Sequence, residues 1–123
     1  MILLIAGGRD FQDFDLLEEK IEPYKNDIEE IVSGMANGAD KLGVKYSTKH
    51  MIPLREFPAQ WDLHGRRAGM LRNIEMAQYL NQQDDAMAMV FWDGKSRGTE
   101  NMISLLKKYN IRHEVVTYGK RSS

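Results

Sequence analysis

The stretch from Ala86 to Asn101 limits the fold more than any other part of the chain. An apolar, strand-like run, Ala86-Met-Ala-Met-Val-Phe-Trp92, drops into Asp93-Gly-Lys-Ser-Arg-Gly98 and then enters an amphipathic helix that begins Thr99-Glu100-Asn101. Strand, glycine-rich turn and helix start together leave backbone N–H groups where an anion can sit. Two earlier stretches share this outline. Ile2-Leu-Leu-Ile-Ala6 is apolar throughout and stops at Gly7-Gly8, as a central parallel strand covered on both faces does. Ile28-Glu-Glu-Ile-Val-Ser33 is shorter and less apolar, and it stops at Gly34.

Helical patterns fill the gaps. Leu17, Ile21 and Tyr24 repeat at helical spacing after Asp13, a candidate N-cap, and Pro23 ends or kinks that helix. Asn37-Gly-Ala-Asp40 opens a second helix, running to about His50 with Leu42 and Tyr46 on one face, and Asn37 is its cap if the preceding loop is purely structural. Ile52 to Phe57 reads as an edge strand because Pro53 has no donor, and residues 58–65 read as a long connection. A helix over 66–83 turns Met70, Ile74, Ala77 and Leu80 to the core, and a strand covers 85–92. Thr99 caps a helix to Tyr109 with Met102, Leu105 and Leu106 on its apolar face; a strand spans Arg112 to Tyr118, and the tail from Lys120 frays. Such alternation predicts a single three-layer α/β domain over residues 1–123, with a mainly parallel five-stranded sheet and helices on both faces. Ligands of such sheets bind beyond the carboxyl ends of the strands, near the point where strand order reverses.

Composition removes several function classes. A net charge of −1 over 123 residues gives no global field to recruit nucleic acid or an anionic membrane. Without cysteine there is no disulfide, thiol nucleophile or thiolate metal site, and the three histidines lack metal-ligand spacing, so no metal is expected. The opening apolar run is too short for a signal peptide or membrane span, which makes the cytoplasm the expected compartment. The eight methionines read as gap fillers in the core.

Candidate chemistry gathers at the strand ends. Gly7 and Gly8 allow close backbone approach, Arg9 can pair with a phosphate, and Asp10 can accept from a hydroxyl. Ser33, Gly34, Gly38 and Asp40 bracket the second loop. Asp93, Gly94, Lys95, Ser96, Arg97, Gly98 and Thr99 form the third. That loop is not a P-loop, because its Lys precedes the second glycine, and no loop matches G-x-G-x-x-G. Arg66 and Asn73 project to the same side of the 66–83 helix as Met70, where buried polar groups need partners. Trp61 and Trp92 can either stack on a base or pack against the sheet.

The set Ala6-Gly-Gly-Arg-Asp-Phe11, Ser33-Gly-Met-Ala-Asn-Gly-Ala-Asp40, Phe57-Pro-Ala-Gln-Trp61, Ala68-Gly-Met-Leu-Arg-Asn73 with Met76, and Phe91 to Thr99 resembles the YspA-like, YpsA-related branch of the SLOG superfamily. The resemblance spans residues 2 to about 106. It implies a Rossmann-like three-layer sandwich that binds a nucleotide or nucleotide-derived ligand, in a group widespread in bacteria and phages. On its pattern Gly7, Gly8, Arg9, Asp10, Ser33, Gly34, Gly38, Asp40, Arg72, Asn73, Asp93, Gly94, Ser96, Gly98 and Thr99 fall in the pocket. Relatives include the Lonely Guy cytokinin-activating phosphoribohydrolases, whose Pro-Gly-Gly-x-Gly-Thr-x-x-Glu carries a catalytic Glu. Here Met102 holds that place, and Glu100 lies two residues early, rotated by about 200° around the helix.

Three functions are therefore weighed. The first is binding or sensing of a nucleoside phosphate or ADP-ribose-like ligand, with no cofactor established beyond it. The second is a nucleotide hydrolase cutting an N-glycosidic or phosphate bond, with Asp10, Asp40 or Asp93 as acid or base. The third is single-stranded nucleic-acid binding like that of the SLOG relative DprA, which near-neutral charge and the lack of a basic–aromatic stripe disfavour. A homo-oligomer is an open alternative, since sheets of this kind often pair through outer helices.

Overall fold

β1 (Ile2–Gly7) lies at the centre of a five-stranded sheet in the computed structural model, which describes residues 1–119. The chain continues through α1 (Phe14–Ile21), β2 (Glu30–Ser33), α2 (Ala39–Lys49), β3 (Leu54–Glu56), α3 (Trp61–His64), α4 (Ala68–Asn81), β4 (Ala86–Trp92), α5 (Arg97–Lys108) and β5 (Arg112–Thr117). The sheet order is β3-β2-β1-β4-β5 and every pairing is parallel. β1 passes to β2 on one side, whereas β3 hands over to β4 on the other. Strand order therefore reverses between β1 and β4.

The unbroken apolar strands follow from burial on both faces. Leu3 and Ile5 join Leu17, Ile21 and Tyr46 in the layer beneath α1 and α2. Leu4 and Ala6 join Met76, Leu80, Met102 and Leu106 beneath α4 and α5. The result is the Rossmann-like α/β sandwich expected, with a sheet that is wholly rather than mainly parallel. Met76, Met87, Met89 and Met102 are buried in these two layers, as flexible gap fillers.

Local chemistry sets the ends of the elements. Asp13 Oδ1 accepts from the Leu16 N–H at 3.0 Å and caps α1, which passes into a 3₁₀ turn over Glu22–Asp27 that contains Pro23. Pro53 stands before the edge strand β3 and lends its carbonyl to the Ile31 N–H at 2.8 Å. The tail from Lys120 lies outside the described residues.

Three expectations change. Residues 58–65 are not a plain connection, because α3 and a 3₁₀ turn over Gly65–Arg67 occupy part of it. The helix after them starts at Ala68, and its buried face runs through Arg72, Asn73, Met76, Ala77 and Leu80. Met70 is 55% exposed, and Arg66 is exposed on the 3₁₀ turn. Ala77, Leu80 and Asn73 face the core as expected, and the expectation fails at the start of the helix, for Met70 and Arg66.

Candidate functional site

A wholly parallel sheet brings the loops after β1, β2 and β4 to one edge. The first two interlock through backbone. Gly8 O accepts from Phe11 N at 3.3 Å and from Ala39 N, the first residue of α2, at 3.1 Å. Gly38 takes the N-cap position of α2 at φ 78° and ψ −129°, with its Cα against Gly8 O and the Arg9 backbone. No side chain caps α2, so Asn37 is not the cap that its residue type suggested; it is exposed.

A cleft of about 350 Å³ opens here, lined by Arg9, Gly34, Met35, Ala36, Asn37, Pro58, Ala59, Trp61 and Arg72. Arg72 is its floor. This residue is only 8% exposed, donates through Nε to Asn73 Oδ1 at 3.0 Å and through Nη1 to Gly34 O, and lies 4.0 Å from Asp40 Oδ2. Asp40 is 4% exposed and accepts from Ala36 N at 3.2 Å. Arg9, on the rim, pairs with no carboxylate among the described residues. Trp61 is 50% exposed.

Burial pushes the Asp40 carboxyl up to about 6, against the pull of the Arg72 guanidinium, the Ala36 N–H, the Arg9 charge and the Gly7 N–H. Burial likewise lowers the Arg72 pKa, opposed by Asp40 and assisted by the nearby charge of Arg9. The folded state thus holds the Asp40 proton more tightly than the unfolded chain does. Its contribution to stability is greatest below the ordinary carboxylate value and is lost as pH rises towards and past 6. Asp40→Asn should therefore gain on the wild type by about 2–3 kcal/mol between pH 4 and pH 7.5, read from urea midpoints at each pH. Parallel pH profiles for the two proteins would contradict this.

The crevice between β1 and β4, where strand order reverses, is nearly closed. It holds about 40 Å³, lined by Ala6, Gly7, Asp40, Asn73, Met76, Gly98, Thr99 and Met102. Tyr118 covers the adjoining Gly8 and donates its hydroxyl to Asp10 Oδ1 at 2.6 Å. A Cβ on Gly8 would run into that hydroxyl. The Tyr118 ring lies 4.8 Å from Phe11, which stacks on Phe91 at 4.5 Å. Sequence reading passed over Tyr118; the one signal available was its place at the carboxyl end of the last strand.

The remaining predicted residues divide by role. Asp93 Oδ1 accepts from Lys95 N and Ser96 N at 2.8 Å each, and these bonds hold its carboxyl below the usual range. Ser96, not Thr99, caps α5, accepting from Thr99 N at 3.4 Å. Gly94, Lys95, Arg97 and Gly98 are exposed. The third loop gives no residue to the lining of the 350 Å³ cleft, while its Gly98 and Thr99 line the small crevice between β1 and β4. Ser33 Oγ donates to Asp40 O and accepts from Met35 N, which shapes the second loop. Asn73 Nδ2 reaches Asn101 Oδ1 at 3.1 Å and Gly98 O at 3.4 Å, tying α4 to α5. The candidate acids Asp10, Asp40 and Asp93 thus hold different partners: a tyrosine, an arginine with an amide, and a turn. Trp92 Nε1 donates to Ser96 O while its ring packs against the layer beneath α4 and α5. Among the described residues no group of three or more His, Asp or Glu gathers to hold a metal ion, and no helix is long and apolar enough to cross a membrane.

Comparison with known proteins agrees with the motif reading. The Gene 61 protein of Mycobacterium phage D29 is 29% identical over 131 residues, a match covering 97% of each chain. No solved structure gives a significant match. The model of the YspA, cpYpsA-related SLOG family matches residues 1–64, from β1 through both interlocked loops to α3. With half the chain matched, including the loops that build the cleft, this protein belongs to the YspA, cpYpsA-related SLOG family.

Proposed function

We propose that this protein binds or senses a nucleotide-derived small molecule at the carboxyl edge of its sheet. One observation carries the reading. Arg9 and Arg72 line the same cleft, and the Asp40 carboxylate 4.0 Å from Arg72 is buried. Two guanidiniums against one carboxylate leave a net positive charge for an anion, and guanidinium matches the oxygen geometry of phosphate. The surrounding glycine loops let a ligand approach the backbone, and family membership points to a nucleotide-related ligand, bound or processed.

Less supports cleavage. Asp10 and Asp93 already accept strong hydrogen bonds, and the position of the Lonely Guy catalytic Glu is a buried methionine, Met102. A short cleft with two cations also suits a small molecule better than a single strand of nucleic acid.

Thermal unfolding in the presence of nucleotides tests the reading. A ligand present at a hundredfold over its Kd should stabilise the fold by about 2.7 kcal/mol, a rise in Tm of roughly 10 °C for a chain of this size. An unchanged Tm with every nucleoside mono-, di- and triphosphate and ADP-ribose at millimolar concentration would remove it.

A further inference from the structure

Ligands of doubly wound sheets ordinarily enter where strand order reverses. In this chain that crevice offers about 40 Å³ and stands beside the Tyr118–Asp10 bond over Gly8. The open volume lies one strand away, between the loops after β1 and β2 and the Pro58–Trp61 segment. We infer that the site is offset to the β1–β2 side and takes a single 5′-nucleoside monophosphate, its base stacked on Trp61 and its phosphate between Arg9 and Arg72. The inference rests on the nucleotide reading above and adds the place, the size and the orientation of the ligand.

A cleft of about 350 Å³, at the lower end of small-molecule sites, suits a single nucleotide. Charge places the phosphate. Arg9 has no carboxylate partner among the described residues, and Arg72 is positioned by Gly34 O and Asn73 Oδ1 while its Nη2 has no hydrogen-bond partner among them. A phosphate monoester can be met by both guanidiniums, with Asp40 offsetting part of the Arg72 charge. An aromatic side chain places the base. Trp61 lines the same cleft, half exposed, and its ring edge lies 3.6 Å from where a Cβ on Gly69 would stand, a point also 3.9 Å from Arg72 Nη2, so indole and guanidinium are within reach of one small ligand. A half-exposed indole in the lining of a cleft presents a stacking surface, and every base has a π-face to meet it.

The experiment measures binding of the four 5′-nucleoside monophosphates, the matching nucleosides and inorganic phosphate by Tm shift and calorimetry. Wild type, Trp61→Ala, Arg9→Ala and the double variant are compared. Both residues are exposed, so the unliganded variants should melt close to wild type. At least one monophosphate should bind more tightly than its nucleoside and than phosphate alone. Trp61→Ala should weaken it by roughly tenfold or more while leaving phosphate binding unchanged. Arg9→Ala should erase the advantage of monophosphate over nucleoside. Monophosphate binding that survives in the double variant overturns the offset site and leaves the nucleotide reading standing. A wild type that binds none of the monophosphates overturns the inference, and one that also binds no di- or triphosphate and no ADP-ribose overturns the nucleotide reading with it.

Discussion

Arg72→Met should lower the stability of this protein by about 3 kcal/mol and do so more at pH 8 than at pH 5. The methionine keeps the apolar stem of the side chain, so the loss reports the guanidinium rather than a cavity. Two hydrogen bonds disappear, one to Gly34 O and one to Asn73 Oδ1, and both acceptors remain in a buried or nearly buried setting. Asp40 loses the main charge that opposes its desolvation, so its carboxyl rises further above the value of about 6 that it has in the wild type. Breaking a buried ion pair on one side typically costs about 3–5 kcal/mol. The 4.0 Å separation of this pair puts the expectation at the lower end. At pH 5 Asp40 is protonated and needs no counter-charge, hence the smaller loss there. Urea unfolding at the two pH values measures both parts. A loss under about 1 kcal/mol at pH 8 would show that Arg72 does not hold the floor of the cleft.

Gly38→Ala should be at least as damaging, by about 3 kcal/mol or more, for a reason confined to the backbone. Its φ of 78° with ψ of −129° lies where residues with a Cβ are strained, at an ordinary cost of about 1–3 kcal/mol. Here there is also no space: a Cβ would collide with Gly8 O and with the backbone of Arg9. Relief requires the first loop to move off the start of α2, which breaks the bond from Ala39 N to Gly8 O and opens the cleft. Gly98→Ala is the control. No atom lies within 4 Å of where a Cβ on Gly98 would stand, and the residue belongs to the first turn of α5, so alanine there should change stability by less than about 1 kcal/mol. Equal losses for the two substitutions in urea unfolding would refute the steric argument.

Much of this architecture was legible in the residues. Apolar runs such as Ile2–Ala6 and Met87–Phe91 can only be strands covered on both sides, and helical spacing between them forces parallel pairing. Parallel pairing then puts every loop that follows a strand on the same edge, which is why Arg9, Gly34 and Asp40 could be brought together on paper. Asp13 as the cap of α1 and Pro53 beside an edge strand are equally local facts.

Local reasoning failed where polar residues behave as core residues or where partners are distant along the chain. The inward turn of Arg72 was not legible in α4, because its burial depends on the Gly34 carbonyl, an acceptor 38 residues away in the chain. Ser96 and not Thr99 caps α5 because the turn closed by Asp93 starts the helix earlier than the apolar spacing implied.

The sequence by itself determined the five strands and the helices between them apart from α3, the parallel sheet, the edge on which the loops meet and the family to which they belong. Only the tertiary structure decided which loops enclose space. That choice depends on how α3 and α4 seat against the first two loops and on Tyr118 reaching Asp10 from 108 residues away. No local propensity encodes such a contact, since its energy exists only once the sheet has assembled and both side chains stand on the same edge.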